Sequence, residues 1–343
     1  LARTQNIYNN ITSPERIAAI NKENAQLRDD FIEYLESVGR ADSTIYNYGQ
    51  DLNIFFCWVM DNLDNKSFIQ ISKRDIVKFQ NHSINVWKWS PNRIRTVKAA
   101  VSSLGNYVEN ILDDEYEGYR SIVNKVESPP KELVMEKTVL TKELVERMLG
   151  DMVEAGEFKK ACFFALAAYG GRRKAELCRF KVSDFGDDHL VCNGALYKSA
   201  PMKTKGRGKN GKQLPCYTLV KPFKPYFDLW MAERKRLGIE SEWLFPKDDD
   251  PSSQMSAHTV DSWARTLSHT YNMRLHPHCY RHFHCTMLAR AGIPDSVITE
   301  IYGWSSSAMC KIYNDADADE QIGAYFDESG EITKRSTTDL SEV

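Results

Sequence analysis

The stretch "GGRRKAEL" (170–177) sets two arginines directly after two glycines. Farther along, "HCYR" (278–281) sets a histidine three residues before an arginine, and "YGWSSSAMCKIY" (302–313) sets a tryptophan nine residues before a tyrosine. The arginine guanidinium is planar, permanently charged and suited to two-pronged binding of phosphate. Two of them can neutralise a pentacoordinate phosphorus transition state. A histidine can move a proton and a tyrosine hydroxyl can attack phosphorus. The lysine- and glycine-rich turn "KTKGRGKNGK" (203–212) offers cations able to protonate a leaving oxygen. Together these are parts for metal-free phosphoryl transfer through a covalent phosphotyrosine.

The segment "HPHCYRHFHC" (276–285) invites a competing reading, because it holds four of the eight histidines of the chain. His278 and His282 are four apart, as two ligands on one helical face would be. No HExxH motif and no CxxC pair supplies the remaining ligands, so no metal is expected. Cys279 would face away from His278 on a helix. His282 and His284 are expected to pack within the helix that starts here, with His282 supporting Arg281 or a bound phosphate, and Pro277 suits its first turn.

Composition bounds the rest. With 343 residues, 42% of them apolar and 27% charged, the chain is long enough for two domains with their own cores. No run of about 18 apolar residues is present, so no transmembrane helix is expected. The first residues lack the apolar segment of a secretory signal. Eight scattered cysteines without a disulfide framework fit a reducing, cytoplasmic compartment. The net charge of −2 conceals an asymmetry. Residues 170–236 carry 16 Lys/Arg against 6 Asp/Glu, a net of +10, and residues 66–107 carry 8 against 1, a net of +7. Residues 314–343 carry 9 acids against 2 bases, a net of −7. Two basic blocks in a neutral chain are what binding to a phosphate backbone requires. Lys88, Arg93, Arg95 and Lys98 are the candidate DNA contacts in one block. Arg172, Lys205, Arg207 and Lys209 are those in the other. Trp87 and Trp89, flanking Lys88, are candidates for base stacking or for the core.

These groups need elements to hold them. Leu27, Phe31, Tyr34, Leu35 and Val38 form a helical stripe, and Asp42 or Ser43 is the candidate cap of a second helix through Ile45, Tyr48, Leu52, Phe55 and Val59. Ser72 caps a third helix. A fourth follows Pro91 with Ile94, Val97, Val101, Leu104 and Val108. "NKVESPPKELVMEKTVL" (124–140) reads as a linker. Beyond it "FKKACFFALAAYGG" is apolar on nearly all sides and predicts a buried central helix. "HLVCNGALY" and "QLPCYTLV" read as short strands. The expected fold is mainly α with a small antiparallel β-sheet: an all-helical N-terminal domain followed by an α+β domain. The boundaries are an arm at 1–23, the helical domain at 24–123, the linker at 124–140, the second domain at 141–326 and an acidic, unfolded tail at 327–343.

The residues quoted above resemble the tyrosine recombinases, the family of phage integrases, Cre-like recombinases and chromosome-dimer resolvases. An arginine three residues before a Glu-Leu pair is matched by Arg173 and Glu176, and a β-hairpin lysine by Lys203. His-x-x-Arg falls on His278 and Arg281, a glycine-preceded His or Trp on Trp304, and the nucleophile on Tyr313. "STIYNYGQDLNIFF" is similar to the Thr-x-x-x-Tyr-x-x-Asp-Leu pattern of the family's core-binding domain. Arg172 rivals Arg173 because this chain reads Gly-Arg-Arg where the family usually has Gly-Leu-Arg; the spacing to Glu176 favours Arg173. Trp304 stands where many members have histidine, and an indole can donate one hydrogen bond but cannot shuttle a proton.

The resemblance implies a two-domain clamp on duplex DNA and site-specific recombination. Tyr313 would form a 3′-phosphotyrosyl bond, Lys203 would protonate the leaving 5′-oxygen, and Glu176 and His282 would support. No cofactor is implied. The partners would be double-stranded recombination sites, three further copies in a tetramer on two sites, and accessory DNA-bending proteins. A type IB topoisomerase-like DNA relaxation and a non-catalytic architectural DNA-binding protein are the alternatives.

Overall fold

The computed structural model describes residues 11–131, 138–206 and 208–315. The described residues fall into two compact units, one of residues 11–131 with 206 and 208–211, the other of residues 138–205 with 212–315. No helix among the described residues is long and apolar enough to cross a membrane.

The first unit is helical: α1 (Pro14–Ala18), α2 (Lys22–Ser37), α3 (Asp42–Asn62), α4 (Lys73–Asn85) and α5 (Pro91–Ile111). The helix starts follow local chemistry. Ser72 and Asp75 form a capping box on α4, and Ser90 caps α5 with Pro91 in its first turn. At α3 the residue before the helix is Ala41, whose side chain offers no cap bond, so neither Asp42 nor Ser43 caps it. The expected stripes meet in one core containing Leu27, Phe31, Phe55, Phe79, Val97, Val101 and Leu104. Asp51, of the "YGQDL" stretch, is buried among them and paired with Arg93 at 2.7 Å. Burial raises the pKa of Asp51 against the opposing pull of that arginine.

The edges of this unit differ from the expected arm and linker. Ile20, placed in the arm, is in the core. Val123 is buried, and the backbone after it is held by Lys98 Nζ on the Val126 carbonyl, Gln80 Nε2 on Glu127 and Arg95 Nη1 on Pro129. The connection therefore begins later than residue 124. It ends before Leu140, which belongs to the core of the second unit.

In the second unit α6 (Lys142–Glu154) precedes α7 (Phe158–Gly170), which is buried from Ala161 to Gly170. Around α7 pack α6, α9 (Val220–Arg236) and α11 (Pro277–Arg290). The short α8 (Lys174–Leu177), α10 (Ala257–Thr270), α12 (Asp295–Tyr302) and α13 (Ala308–Tyr313) complete the helices. The expected strands divide further than their sequence suggested. Residues 189–197 supply β1 (Leu190–Val191) and part of β2 (Leu196–Lys198), joined by a turn at Cys192, Asn193 and Gly194 with positive φ. Residues 213–220 split at Pro215, which cannot donate to a ladder, into β4 (Lys212–Leu214) and β5 (Tyr217–Leu219). β1, β2 and β5 form one antiparallel sheet in the order β1-β2-β5. β3 (Met202–Thr204) pairs with β4 separately, Lys203 opposite Gln213.

Gly171 ends α7 in the left-handed region at φ +60, where a Cβ would lie 2.4 Å from His284 Nδ1 and 2.5 Å from the Tyr302 hydroxyl. Gly156, after α6, has φ +71 but open space around it. Gly171→Ala should therefore cost about 2 kcal/mol or more, and Gly156→Ala about 1 kcal/mol, because only the first adds a steric conflict to backbone strain. Urea unfolding of the two variants checks the difference.

Candidate active site

The turn at Gly171 sends the two arginines to different places. Arg172 is 1% exposed, with Nη2 donating to the Ile301 carbonyl at 2.6 Å and its guanidinium beside Tyr302. This corrects its assignment as a DNA contact: packed under α12, it cannot reach a ligand at the surface. Arg173 stays partly open at the start of α8. Its Nη1 donates to Glu176 Oε1 at 2.9 Å and its backbone N–H to Glu176 Oε2 at 3.0 Å. Burial alone would raise the pKa of Glu176, but the charge and hydrogen bonds of Arg173, with the Arg281 charge, bring it below the usual value. Glu176 Oε1 also accepts from the Lys205 N–H at 3.3 Å, and Arg179 Nη1 donates to the Lys203 carbonyl at 2.7 Å. One buried carboxylate thus joins Arg173 to the hairpin strand whose exposed side chain is Lys203.

Helix α11 supplies the next group. Pro277 opens its first turn, which puts His278, Arg281 and His282 at the mouth of the helix and His284 one turn deeper. Arg281 is fully buried. Its Nη1 donates to the Gly171 carbonyl at 3.0 Å, and its guanidinium carbon lies 4.4 Å from the Tyr302 ring centre, 5.1 Å from Tyr313 and 5.4 Å from Trp304. Nε and Nη2 of Arg281 are buried with no hydrogen-bond partner among the described residues, as is Trp304 Nε1. Buried donors on a cation are costly unless an acceptor arrives. These three point to an anion as the intended occupant.

Tyr313, the last residue of α13, lies in this cluster. Its ring stacks on Trp304 with centroids 5.1 Å apart and rests against His282 at 4.8 Å, and its hydroxyl is 3.4 Å from His278 Nε2. The His278 edge is open to solvent, yet desolvation by the surrounding protein and then the charges of Arg281, His282 and Arg173 lower its pKa to about 4. The cations alone push in that direction. A neutral His278 can accept a proton from the tyrosine beside it. His282 Nδ1 is 3.0 Å from Asp315 Oδ2, in poor angular alignment for a hydrogen bond. Thr286 Oγ1 accepts from the Asp315 N–H at 2.9 Å. Asp315, counted in the sequence with the acidic tail, therefore helps hold the residues after Tyr313.

Among the other expected DNA contacts, Lys88, Arg95, Lys205 and Lys209 are exposed. Arg93 is committed to Asp51 and lies over the Trp89 ring. Lys98 is a second correction. It is 5% exposed, and its Nζ donates to Gln80 and to the Val126 carbonyl, because the buried arc of α5 is wider than its apolar stripe. Burial lowers its pKa to about 8. Trp87 packs on His82 and Phe79, while Trp89 lies tilted against Trp87. Arg207, residues 1–10 of the expected arm and the tail from 316 lie outside the described residues. Tyr302 was not singled out in the sequence; its place beside Gly303–Trp304 was the available signal.

The sequence matches two family models. "Phage integrase family" covers residues 138–320, and "Phage integrase, N-terminal SAM-like domain" covers 27–117. The chain belongs to the phage integrase family. It is a tyrosine-type site-specific DNA recombinase. Among its relatives, the SPbeta prophage-derived recombinase-like protein YomM of Bacillus subtilis (strain 168) is 31% identical over 255 residues, 73% of this chain and 74% of that protein. A tyrosine recombinase of Thermosipho africanus (strain TCF52B) is 24% identical over 289 residues, 82% and 92% of the two chains. The solved structure of a lambda integrase tetramer bound to a Holliday junction shares the fold. Its TM-score is 0.61 at 15% identity, covering 91% of this chain and 84% of that one.

The electrostatics of this integrase site can be measured directly. His278 should remain neutral in the DNA-free chain until pH falls to about 4. Its folded pKa lies below the ordinary histidine value of 6.5, so its neutral form stabilises the folded chain fully above 6.5 and that contribution is lost as pH falls toward 4. Histidine-labelled NMR, with His278→Gln to assign the resonance, checks this; a midpoint at or above the ordinary histidine value contradicts it.

Proposed function

We propose that Tyr313 is the nucleophile of this recombinase and that Arg173, Lys203, His278, Arg281 and Trp304 carry the phosphoryl transfer. The observation that bears most weight is the set of buried donors of Arg281 and Trp304, unpartnered among the described residues, against the Tyr313 ring. A scissile phosphate held there by Arg281, Trp304 and the partly open Arg173 has its two non-bridging oxygens neutralised as charge builds on phosphorus. Tyr313 Oη attacks phosphorus and gives up its proton toward neutral His278. The bond from phosphorus to the 5′-oxygen breaks, and Lys203 protonates that oxygen as it leaves. The strand end remains linked as a 3′-phosphotyrosine, so the bond energy is retained. The 5′-hydroxyl of a partner strand reverses the step and joins the exchanged strands. Exposed Lys88, Arg95, Lys205 and Lys209 suit the phosphate backbone. The lambda integrase neighbour is a tetramer on a Holliday junction, and strand exchange between two sites supports the same stoichiometry here.

Nicked duplexes taken from the DNA that flanks the gene test this assignment, since loss of the short 5′-hydroxyl fragment traps the covalent intermediate. Wild-type protein should form a detergent-resistant adduct, in excess EDTA as well. Tyr313→Phe should bind the duplex and form none. Arg173→Ala and Arg281→Ala should each slow cleavage on the order of 100-fold or more while weakening binding far less. Arg172→Ala should instead lower the unfolding midpoint. An adduct in Tyr313→Phe, or a crippled Arg172→Ala beside a normal Arg173→Ala, contradicts the assignment.

A further inference from the structure

Behind Arg281 lies a buried polar pair that the phosphoryl-transfer scheme does not use. Tyr302 is 3% exposed and His284 is 2% exposed, and the Tyr302 hydroxyl sits 2.6 Å from His284 Nδ1. The rings meet edge to face, 5.6 Å apart. Burial, followed by the charges of Arg172 and Arg281, lowers the His284 pKa to about 3, so the imidazole is neutral. The Tyr169 backbone hydrogen-bonds the ring in the sense that favours protonation, which for a neutral imidazole means a carbonyl accepting from a ring N–H. With Nδ1 turned to Tyr302, that N–H is on Nε2. Nδ1 is then an acceptor and the Tyr302 hydroxyl donates to it. Burial also raises the Tyr302 pKa far above the phenol value, so this proton stays in place.

The chain of contacts closes on Arg281. Tyr169 and Gly171 are at the end of α7, His284 and Arg281 are on α11, and Tyr302 ends α12. Tyr302 offers one face to the Arg281 guanidinium at 4.4 Å, and its ring also lies nearly parallel to Trp304, 4.4 Å away at 12°. Arg281 Nη1 is tied to the Gly171 carbonyl, and no Cβ fits at Gly171 because His284 and Tyr302 fill that space. Two apolar side chains could fill the volume of a buried Tyr–His pair with little loss of stability. A hydroxyl bonded to an imidazole adds a fixed ring orientation.

We propose that Tyr302 and His284 are positioning residues for Arg281. Their hydrogen bond locks the Tyr302 ring as the platform on which the guanidinium lies, so that Nε and Nη2 face the scissile phosphate and Trp304 is held in register. This rests on the assignment of Arg281 to the phosphate.

The test uses the full chain and the nicked duplex from the gene flank, with single-turnover cleavage, duplex binding and thermal unfolding measured for each variant. Tyr302→Phe should slow cleavage by about tenfold and Tyr302→Leu by about a hundredfold, the scale of an ångström-size displacement at a reacting group. Binding should be unchanged. His284→Phe should match Tyr302→Phe, and His284→Asn, which keeps an acceptor near the Nδ1 position, should recover most of the rate. In an Arg281→Lys background Tyr302→Phe should have no further effect, because both changes act through one group.

Wild-type cleavage by Tyr302→Phe, a loss that multiplies with that of Arg281→Lys, or cleavage falling only in step with binding would overturn the proposal. If Tyr302→Phe does not fold, the His284→Phe and His284→Asn pair decides by the same criteria. Should Arg281→Lys itself cleave normally, the phosphate assignment fails first and the positioning role with it. A crippled Arg281→Lys beside a normal Tyr302→Phe defeats the positioning role alone.

Discussion

A permanently charged guanidinium at zero exposure is the constraint around which the second unit is arranged. Burying a cation without an adjacent bonded carboxylate is expensive, and here Glu176 acts on Arg281 only through its charge, its hydrogen bonds going to Arg173 and Lys205. The protein offsets part of that cost with the Gly171 carbonyl and with the faces of Tyr302, Trp304 and Tyr313. What remains is a strong preference for an incoming anion. A site held in this way binds charge that builds during reaction without having to rearrange first.

Glycine makes the convergence possible at two places. Gly171 ends α7 and Gly303 ends α12, both in the left-handed region. Each turns the backbone shortly before a residue of the candidate site, Arg173 in one case and Trp304 in the other. At Gly303 a Cβ would meet the Leu214 side chain of β4, so the hairpin that carries Lys203 packs against the turn that carries Trp304. Glu176 makes the second connection, from Arg173 to the backbone of Lys205. Charge, hydrogen bonding and tight packing therefore couple the hairpin, α8, α11, α12 and α13.

The basic blocks show how far charge counting carries. Both contain cations that are open to solvent, as binding to phosphates requires. Each also contains cations used inside the fold. Lys98 holds the segment leaving the first unit, Arg93 neutralises the buried Asp51, and Arg172 supports α12. A long side chain can bury its stem and still place its head on a carbonyl, so a lysine or arginine beside an apolar stripe is not a surface residue by default.

The helical character of the first unit and the buried central helix were legible because apolar spacing and caps are local properties of the chain. The series proposed for the site, Arg173, Lys203, His278, Arg281, Trp304 and Tyr313, could be picked out in the same way, since side-chain chemistry at ordered spacings is written in one dimension. The choice between neighbours was not. Whether Arg172 or Arg173 stays open depends on which way the Gly171 turn points them. His282 and His284 look alike in sequence, yet two residues along a helix put them on opposite faces, one ring on Tyr313 and the other sealed against Tyr302. Asp315 read as one more acid of the tail until Thr286 and His282 were brought beside it. Spacing along the chain determines which groups are available; only packing in three dimensions decides which of them lose their water and which partners they then find, and that loss gives a buried polar group its energetic weight.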